Sequence, residues 1–477
     1  MKKVLLALSL ALILAVSVAA YGASAIFATR DQVVYTEERF FGDPSALEGV
    51  TVNVRTTENY QLYWNSTFSP AHPELQHTEY EFFEVEAYDR FQTGKRELWE
   101  YGGLSLFSYP SKALDYAEEQ IHENPAPLAQ AYRDLAKGMT PGQDASREIL
   151  LKDYMEFYPL DYGMFAPDVD SFGTGVEGYE QYSEEYICAW LENYFRIPVL
   201  EDEYCEISVN RTDGEYISGW GFGSANTGDR FTMGTMSAVT REAAYFFFDA
   251  HSDSGKLVDL SLLPDGFGVY RLPFTDISLE GVTGSGRVVK CVDVHELEMI
   301  CPLDPNMRLR DLTIDYQLEQ LMVHSIEEET YYITFVDMAT GAVLQKLPVM
   351  AAEEGVVSRY QFEAFWVLVN HFTNEVAVIT ADGAGGHKVA MLTGGMPEAN
   401  DGAFLYPDIM AFDGQRLVMG SPEFGARWSG SGSDLYITAF DSTGLIYHGL
   451  WQSSLNYGLK NHSAVVSVEE WRTLSLE

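Results

Sequence analysis

Reactive side chains are sparse in this sequence, and its four cysteines come first. Cys188 and Cys205 lie seventeen residues apart, Cys291 and Cys301 ten. Hairpin-like spacing allows the short Cα separation a disulfide needs, and an oxidising compartment preserves the bond. Disulfides joining Cys188 to Cys205 and Cys291 to Cys301 are therefore expected, with four buried thiols as the alternative. No C-x-x-C occurs, so neither a thioredoxin-type site nor a zinc knuckle is indicated. His295-Glu296 has Met299 where a zincin helix would place its second His. Gly284-Ser285-Gly286 and Ser429-Gly430-Ser431-Gly432 do not form G-x-S-x-G and read as flexible turns.

Hard cations need several oxygens around a tight turn, and two stretches come near that. Asp249, Asp253 and Asp259 surround Gly255 and are the candidate ligands for a structural calcium ion. Asp168-Val169-Asp170-Ser171-Phe172-Gly173 begins like an EF-loop but puts Phe172 where an oxygen is required. Acidic turns are common in so negative a chain, and a solvated surface is the plainer reading of both. A glycosidase needs two facing carboxylates, and 71 acidic residues make such a pair easy to find without identifying one. Trp190, Trp220, Trp366, Trp428 and Trp451 could stack on sugars or simply fill sheet interfaces. No Walker A or dinucleotide loop is present, and Gly219-Trp220-Gly221-Phe222-Gly223 lacks the strand-to-helix setting. No other cofactor is indicated.

Charge narrows the partners. Against the 71 acidic residues stand 30 Lys plus Arg, a formal net charge of −41, so the average field repels phosphate backbones and nucleic-acid binding is not expected. At 477 residues with 46% hydrophobic content the chain can bury a large core. Lys2 and Lys3 precede Val4 to Thr29, twenty-six residues without a charge. As a helix that run would extend roughly 39 Å at about 1.5 Å per residue, against a hydrocarbon core of about 30 Å. One membrane span is expected over residues 1–29, with its lysines inside and the rest of the chain outside. The alternative is a signal peptide cleaved near Ala25, at Ala23-Ser24-Ala25. No later apolar run approaches a span, which excludes transport by this chain alone.

The elements that would position a site are mostly strands. Residues 30–46 read as a stalk, and 47–477 as one ectodomain. Thr51 to Val54, Tyr60 to Tyr63 and Tyr80 to Tyr88 are strand candidates. Residues 111–158 carry helical spacing in three segments: Leu114, Ala117 and Ile121; Leu128, Tyr132 and Leu135; and Ile149, Leu150, Tyr154 and Phe157 after the cap Asp144. This stretch is expected to be a helical insertion.

From about Gly219 a hairpin recurs. Tyr332-Ile333-Thr334-Phe335-Val336-Asp337, then Thr340-Gly341, then Ala342 to Leu347, matches Tyr436-Ile437-Thr438-Ala439-Phe440-Asp441, then Thr443-Gly444, then Leu445 to Leu450. Looser copies are Phe246 to Asp249 with Asp253-Ser254-Gly255, Val376 to Thr380 with Asp382-Gly383, and Ile409 to Phe412 with Asp413-Gly414. Each reads as strand, Asp-capped turn with a positive-φ Gly, and returning strand. The marker glycines are separated by 86, 42, 31 and 30 residues, and a period near 40 to 45 belongs to propeller blades. Over residues 219–477 the pattern resembles bacterial exported β-propellers of the quinoprotein-like kind, whose blades carry a strand, an Asp-x-x-Thr-Gly turn and a return strand. The resemblance implies a mainly β, propeller-like fold of about seven blades with partner contacts at one end, and no cofactor or activity. The architectural alternative is a pair of β-sandwich domains. The expected function is a membrane-tethered extracytoplasmic binding or sensing module with a protein or glycan partner. The rivals are a carbohydrate-active hydrolase using paired carboxylates and a structural component of an envelope complex.

Overall fold

A computed structural model describes residues 11–21, 34–58, 62–82, 103–108, 112–114, 117, 126–166, 169, 177–211, 216–221, 233–249, 263–278, 288–305, 307–352, 357–362, 364–371, 373, 375–394, 407, 409–422, 434–454 and 468–476. The fold is mainly β, and the chain divides into two compact units, Met1–Leu98 with Val349–Glu477, and Trp99–Pro348.

Among its described residues the first unit has three sheets. One runs β1 (Tyr35–Gly42), β26 (Gly444–Ser453), β25 (Leu435–Asp441), β24 (Leu417–Pro422), β23 (Ile409–Phe412). A second runs β27 (Val468–Leu476), β2 (Val50–Glu58), β3 (Leu62–Ser69), β4 (His72–Phe82). The third runs β19 (Val357–Gln361), β20 (Phe365–Asn370), β21 (Glu375–Ala381), β22 (His387–Thr393). Side-chain alternation stacks them. Ile409, Val418, Ile437 and Ala439 pack with Val52, Val54 and Phe68, while Met410, Met419 and Phe440 pack with Val367, Val378 and Met391. The sheet containing β23–β26 is therefore covered on both faces, which is why Leu435 to Phe440 is a continuous buried run. The chain ends interlock, since N-terminal β1 pairs with β26 and C-terminal β27 pairs with β2. Tyr35 fixes the first join, buried on Phe68 at 4.4 Å with its N–H and C=O held by the Gln76 amide.

Among its described residues the second unit has two larger sheets, two small ones and the helices Pro127–Ala136 and Glu184–Phe195. The larger are β10 (Gly234–Val239), β11 (Ala243–Asp249), β12 (Gly268–Ser278), β13 (Val288–Val292) with β14 (Glu298–Pro302) also on β12, and β15 (Arg308–Asp315), β16 (Gln320–Glu327), β17 (Thr330–Asp337), β18 (Val343–Ala351), whose last residues cross the unit boundary. The small sheets are β5 (Gly103–Ser108) with β7 (Leu160–Phe165), and β6 (Asp144–Leu150), β8 (Tyr204–Arg211), β9 (Tyr216–Gly221). Helices α1 (Pro127–Ala136) and α2 (Glu184–Phe195) bury Leu128, Tyr132, Ile187, Leu191 and Phe195 in one core with Phe246, Phe248 and Tyr270.

The recurrent hairpin is present at four of its five places. β17 to β18, β21 to β22, β23 to β24 and β25 to β26 each pair around an aspartate that caps the turn. Asp337 Oδ1 accepts from the Thr340 N–H and hydroxyl, both at 2.7 Å, and Asp441 Oδ1 does the same with Thr443 at 2.7 and 2.5 Å. Asp382 takes the N–H of Ala384 and Gly386, and Asp413 those of Gln415 and Arg416. Gly341, Gly383, Gly414 and Gly444 all have positive φ. At the fifth place Phe246 to Asp249 lies in β11, while the turn at Asp253-Ser254-Gly255 falls outside the described residues.

Several expectations are corrected. The presumed stalk 30–46 contains β1 and a 3-10 turn, Pro44–Leu47, because the strand at Tyr35 finds an open edge on β26. In the expected insertion 111–158, α1 is a helix, and Asp144 to Leu150 is strand β6, paired to β8. None of the four cysteines forms a disulfide. Cys291 pairs with Thr275 and Cys301 with Val269 on β12, six residues apart, which is about 20 Å of strand and far beyond disulfide reach. Cys188 lies on α2 with its sulfur on the Leu160 carbonyl at 3.2 Å, whereas Cys205 is buried in β8. Among the described residues no helix is long and apolar enough to cross a membrane. Residues 11–21 of the apolar run are helical, with Leu12, Ile13, Leu14, Val16 and Val18 each more than half exposed, and the remainder of the run falls outside the described residues.

Candidate functional site

Helix α2 begins where Ser183 accepts a hydrogen bond from the Tyr186 N–H at 3.2 Å, with Glu184 and Glu185 in the first turn favoured by the helix dipole. Ile187, Leu191 and Phe195 recur every fourth residue and face the core. Tyr186, Trp190 and Tyr194 precede each of them by one position, so the same period sets a second stripe at the boundary between core and solvent.

That stripe is a continuous aromatic row. Trp190 and Tyr194 stack at 5.1 Å and 12°. His295 stands edge-on to Trp190 at 5.8 Å and meets Tyr186 at 6.1 Å. The imidazole is delivered by a 3-10 turn, Val294–Glu296, that Asp293 caps through the His295 N–H. Polar atoms tip the row: His295 Nε2 shares a 3.2 Å hydrogen bond with the Tyr186 hydroxyl, and the Tyr194 hydroxyl donates to Asp265. Burial and the Asp265 carboxylate push the Tyr194 phenol above its usual range. On the other flank Lys112 Nζ donates to the Leu160 carbonyl at 2.5 Å and to Asp161 at 2.9 Å, and lies 3.9 Å from Cys188 Sγ. Burial raises the Cys188 thiol despite that ammonium, so it is a poor nucleophile. The arrangement offers ring surface and fixed hydrogen-bonding tips, which suits binding.

A second feature of this unit is a groove of about 480 Å³ on the outward face of β6, β8 and β9, lined by Asp144, Ser146, Ser208, Asn210 and Gly219. Asn210 donates to Asp144, and the Ser208 hydroxyl to the Gly219 carbonyl. Two positions along, Glu148 stands directly opposite Glu206.

The tryptophans named from sequence do not converge. Trp190 is in the aromatic row. Trp451 is fully buried, donating to the Tyr447 hydroxyl at 3.2 Å, and Trp366 packs edge-on against His387 within its own sheet. Both serve packing. The side chains of Trp220 and Trp428 fall outside the described residues, as do both serine-glycine turns, Asp168, Asp170, Asp253 and Asp259. Asp249 ends β11, and among the described residues no group of three or more metal-ligating side chains gathers. Sequence reading missed Tyr186, Tyr194 and Asp265, and weighed His295 only as half of a zincin pair. The first two were legible in the fourfold spacing behind the Ser183 cap, whereas His295 and Asp265 meet them only through the fold.

No known family profile matches this chain, and no curated protein resembles it in sequence. Among solved structures it is similar to a periplasmic gluconolactonase of Pseudomonas aeruginosa, at 12% identity over 54% of this chain and 78% of that one, with a TM-score of 0.23. It is also similar to a protein from Lactobacillus plantarum, at 11% identity over 72% and 94% of the two chains, with a TM-score of 0.21. At such scores neither likeness carries an argument about fold or activity.

Proposed function

We propose that this chain is an extracytoplasmic binding module, tethered by its N-terminal apolar segment, that presents the aromatic face of α2 to a neutral glycan. The observation that carries the reading is the half-exposed row Tyr186, Trp190 and Tyr194 joined to His295, since ring faces and edges pack on sugar C–H surfaces while phenol and imidazole tips bind hydroxyls. The net charge of −41 favours a neutral over an anionic polymer. The exposed apolar helix at 11–21 and the charge-free run around it support the tether. Within the first unit, the stacked four- and five-stranded sheets and the pairing of β1 with β26 and of β27 with β2 support propeller-like blades. Titration calorimetry with neutral oligosaccharides is the test: binding that Trp190→Ala weakens by roughly 2- to 12-fold agrees with the loss of one ring contact, and binding indifferent to Trp190 refutes the site.

A second reading, hydrolysis of polysaccharide, is favoured by the Glu148 and Glu206 pair beside the groove. It expects turnover of chromogenic glycosides that disappears in Glu148→Gln or Glu206→Gln, and fails if neither substitution changes the rate.

A further inference from the structure

Among the described residues, three serine or threonine hydroxyls share hydrogen bonds with an imidazole on the neighbouring strand or just beyond it. Thr313 with His324 at 2.8 Å and Thr438 with His448 at 2.9 Å are at least nine-tenths closed to solvent on the histidine. The third differs. Ser358 of β19 and His371, one residue beyond β20, lie in the antiparallel register that pairs Val357 with Asn370 and Ser358 with Val369. Ser358 Oγ is 2.7 Å from His371 Nε2, and both residues are half-buried, within reach of a small molecule.

We propose that Ser358 is a nucleophile activated by His371, forming a second site that acts on small uncharged carboxylic esters. Geometry supplies the first requirement, a base within hydrogen-bond reach of the proton it takes. Burial supplies the second by holding the imidazole below its ordinary range, so that it is neutral and can accept a proton at neutral pH. In the reaction Ser358 Oγ bonds to the acyl carbon as its proton passes to His371 Nε2. The acyl–oxygen bond then breaks, and the leaving alcohol takes that proton. Water attacks the acyl-serine, giving a proton to His371, and the acid departs as Ser358 Oγ is reprotonated. Ester and water become acid and alcohol with no oxidant or metal consumed.

The test is labelling of the full-length chain in detergent with a fluorophosphonate probe, with peptide mass mapping. The expected result is modification at Ser358, absent in Ser358→Ala and slowed on the order of 100-fold in His371→Gln. The rate should rise with pH to a plateau, with its midpoint below 6.5. Absence of label on Ser358, or His371→Gln labelled as fast as the native chain, overturns the proposal. Thermal melts check that the variants fold. If His371→Gln does not, the Ser358→Cys chain replaces it: faster alkylation of that thiol than of a free cysteine thiol supports activation by His371, and an equal rate overturns it.

Discussion

The repeated turns invite a quantitative test, because glycines with the same backbone sign sit in very different surroundings. Gly341 has φ +67°, and a Cβ placed there would lie 1.8 Å from the Ile300 carbonyl oxygen and 2.6 Å from its carbon. Gly266 has φ +86° in the same unit, with nothing within 4 Å of that position. In Gly266→Ala only the left-handed backbone of an L-residue is charged against stability, about 1–2 kcal/mol. In Gly341→Ala the new methyl must also retreat from a carbonyl it should approach no closer than about 3.3 Å. Ile300 cannot yield freely, since its neighbours Met299 and Cys301 pair with Tyr270 and Val269 of β12. Overpacking of that kind adds about 1–3 kcal/mol, giving roughly 2–5 in total. For a unit of this size 1 kcal/mol moves the midpoint by about 2–4 °C, so Gly341→Ala should lower it by roughly 4–20 °C and Gly266→Ala by roughly 2–8 °C. Calorimetry together with urea titration at constant m-value measures both. Equal losses would refute the claim that the hairpin glycine of β17 and β18 is also a packing site against β14.

Between β16 and β17 the two-residue loop is Glu328-Glu329, both left-handed at φ 46° and 66°, so Glu328→Asn with Glu329→Gly should stabilise the chain by about 1–3 kcal/mol in a denaturant titration. Hydrogen bonds from the Thr340 hydroxyl and then backbone N–H groups hold Asp337 below its usual carboxylate range, and Thr443 does the same for Asp441. A depressed folded pKa adds stability above the unfolded value of about 3.9 that is lost as pH falls through the folded value, so midpoints should drop between pH 5 and pH 2 in melts of the native chain, and less in Asp337→Asn. With no disulfide, four thiols should react in denaturant without reductant, and Cys205, pushed up to about 12 by burial, should resist alkylation at pH 8 while the chain is folded; fewer than four would restore a bridge.

By itself the sequence determined what depends on neighbours in the chain. Asp337, Asp382, Asp413 and Asp441 cap their turns through N–H groups two to four residues away, and the glycines beside them take the positive φ such turns demand, so those hairpins were readable in strings of about a dozen residues, though not the packing of Gly341 on Ile300. What the tertiary structure decided depends on partners far away. Asp144 to Leu150 carries apolar residues at a spacing that also suits a helix, and pairing with β8, some sixty residues on, makes it a strand. Residues 35–42 look like a stalk until β26, four hundred residues later, offers an edge. The cysteines seemed close in number, but β12 holds Cys291 and Cys301 at opposite stretches of one strand. The aromatic row needed both kinds of information. Its helical stripe is written in the spacing of Tyr186, Trp190 and Tyr194, while His295 and Asp265 reach it only because burial of Ile187, Leu191 and Phe195 fixes which way α2 faces.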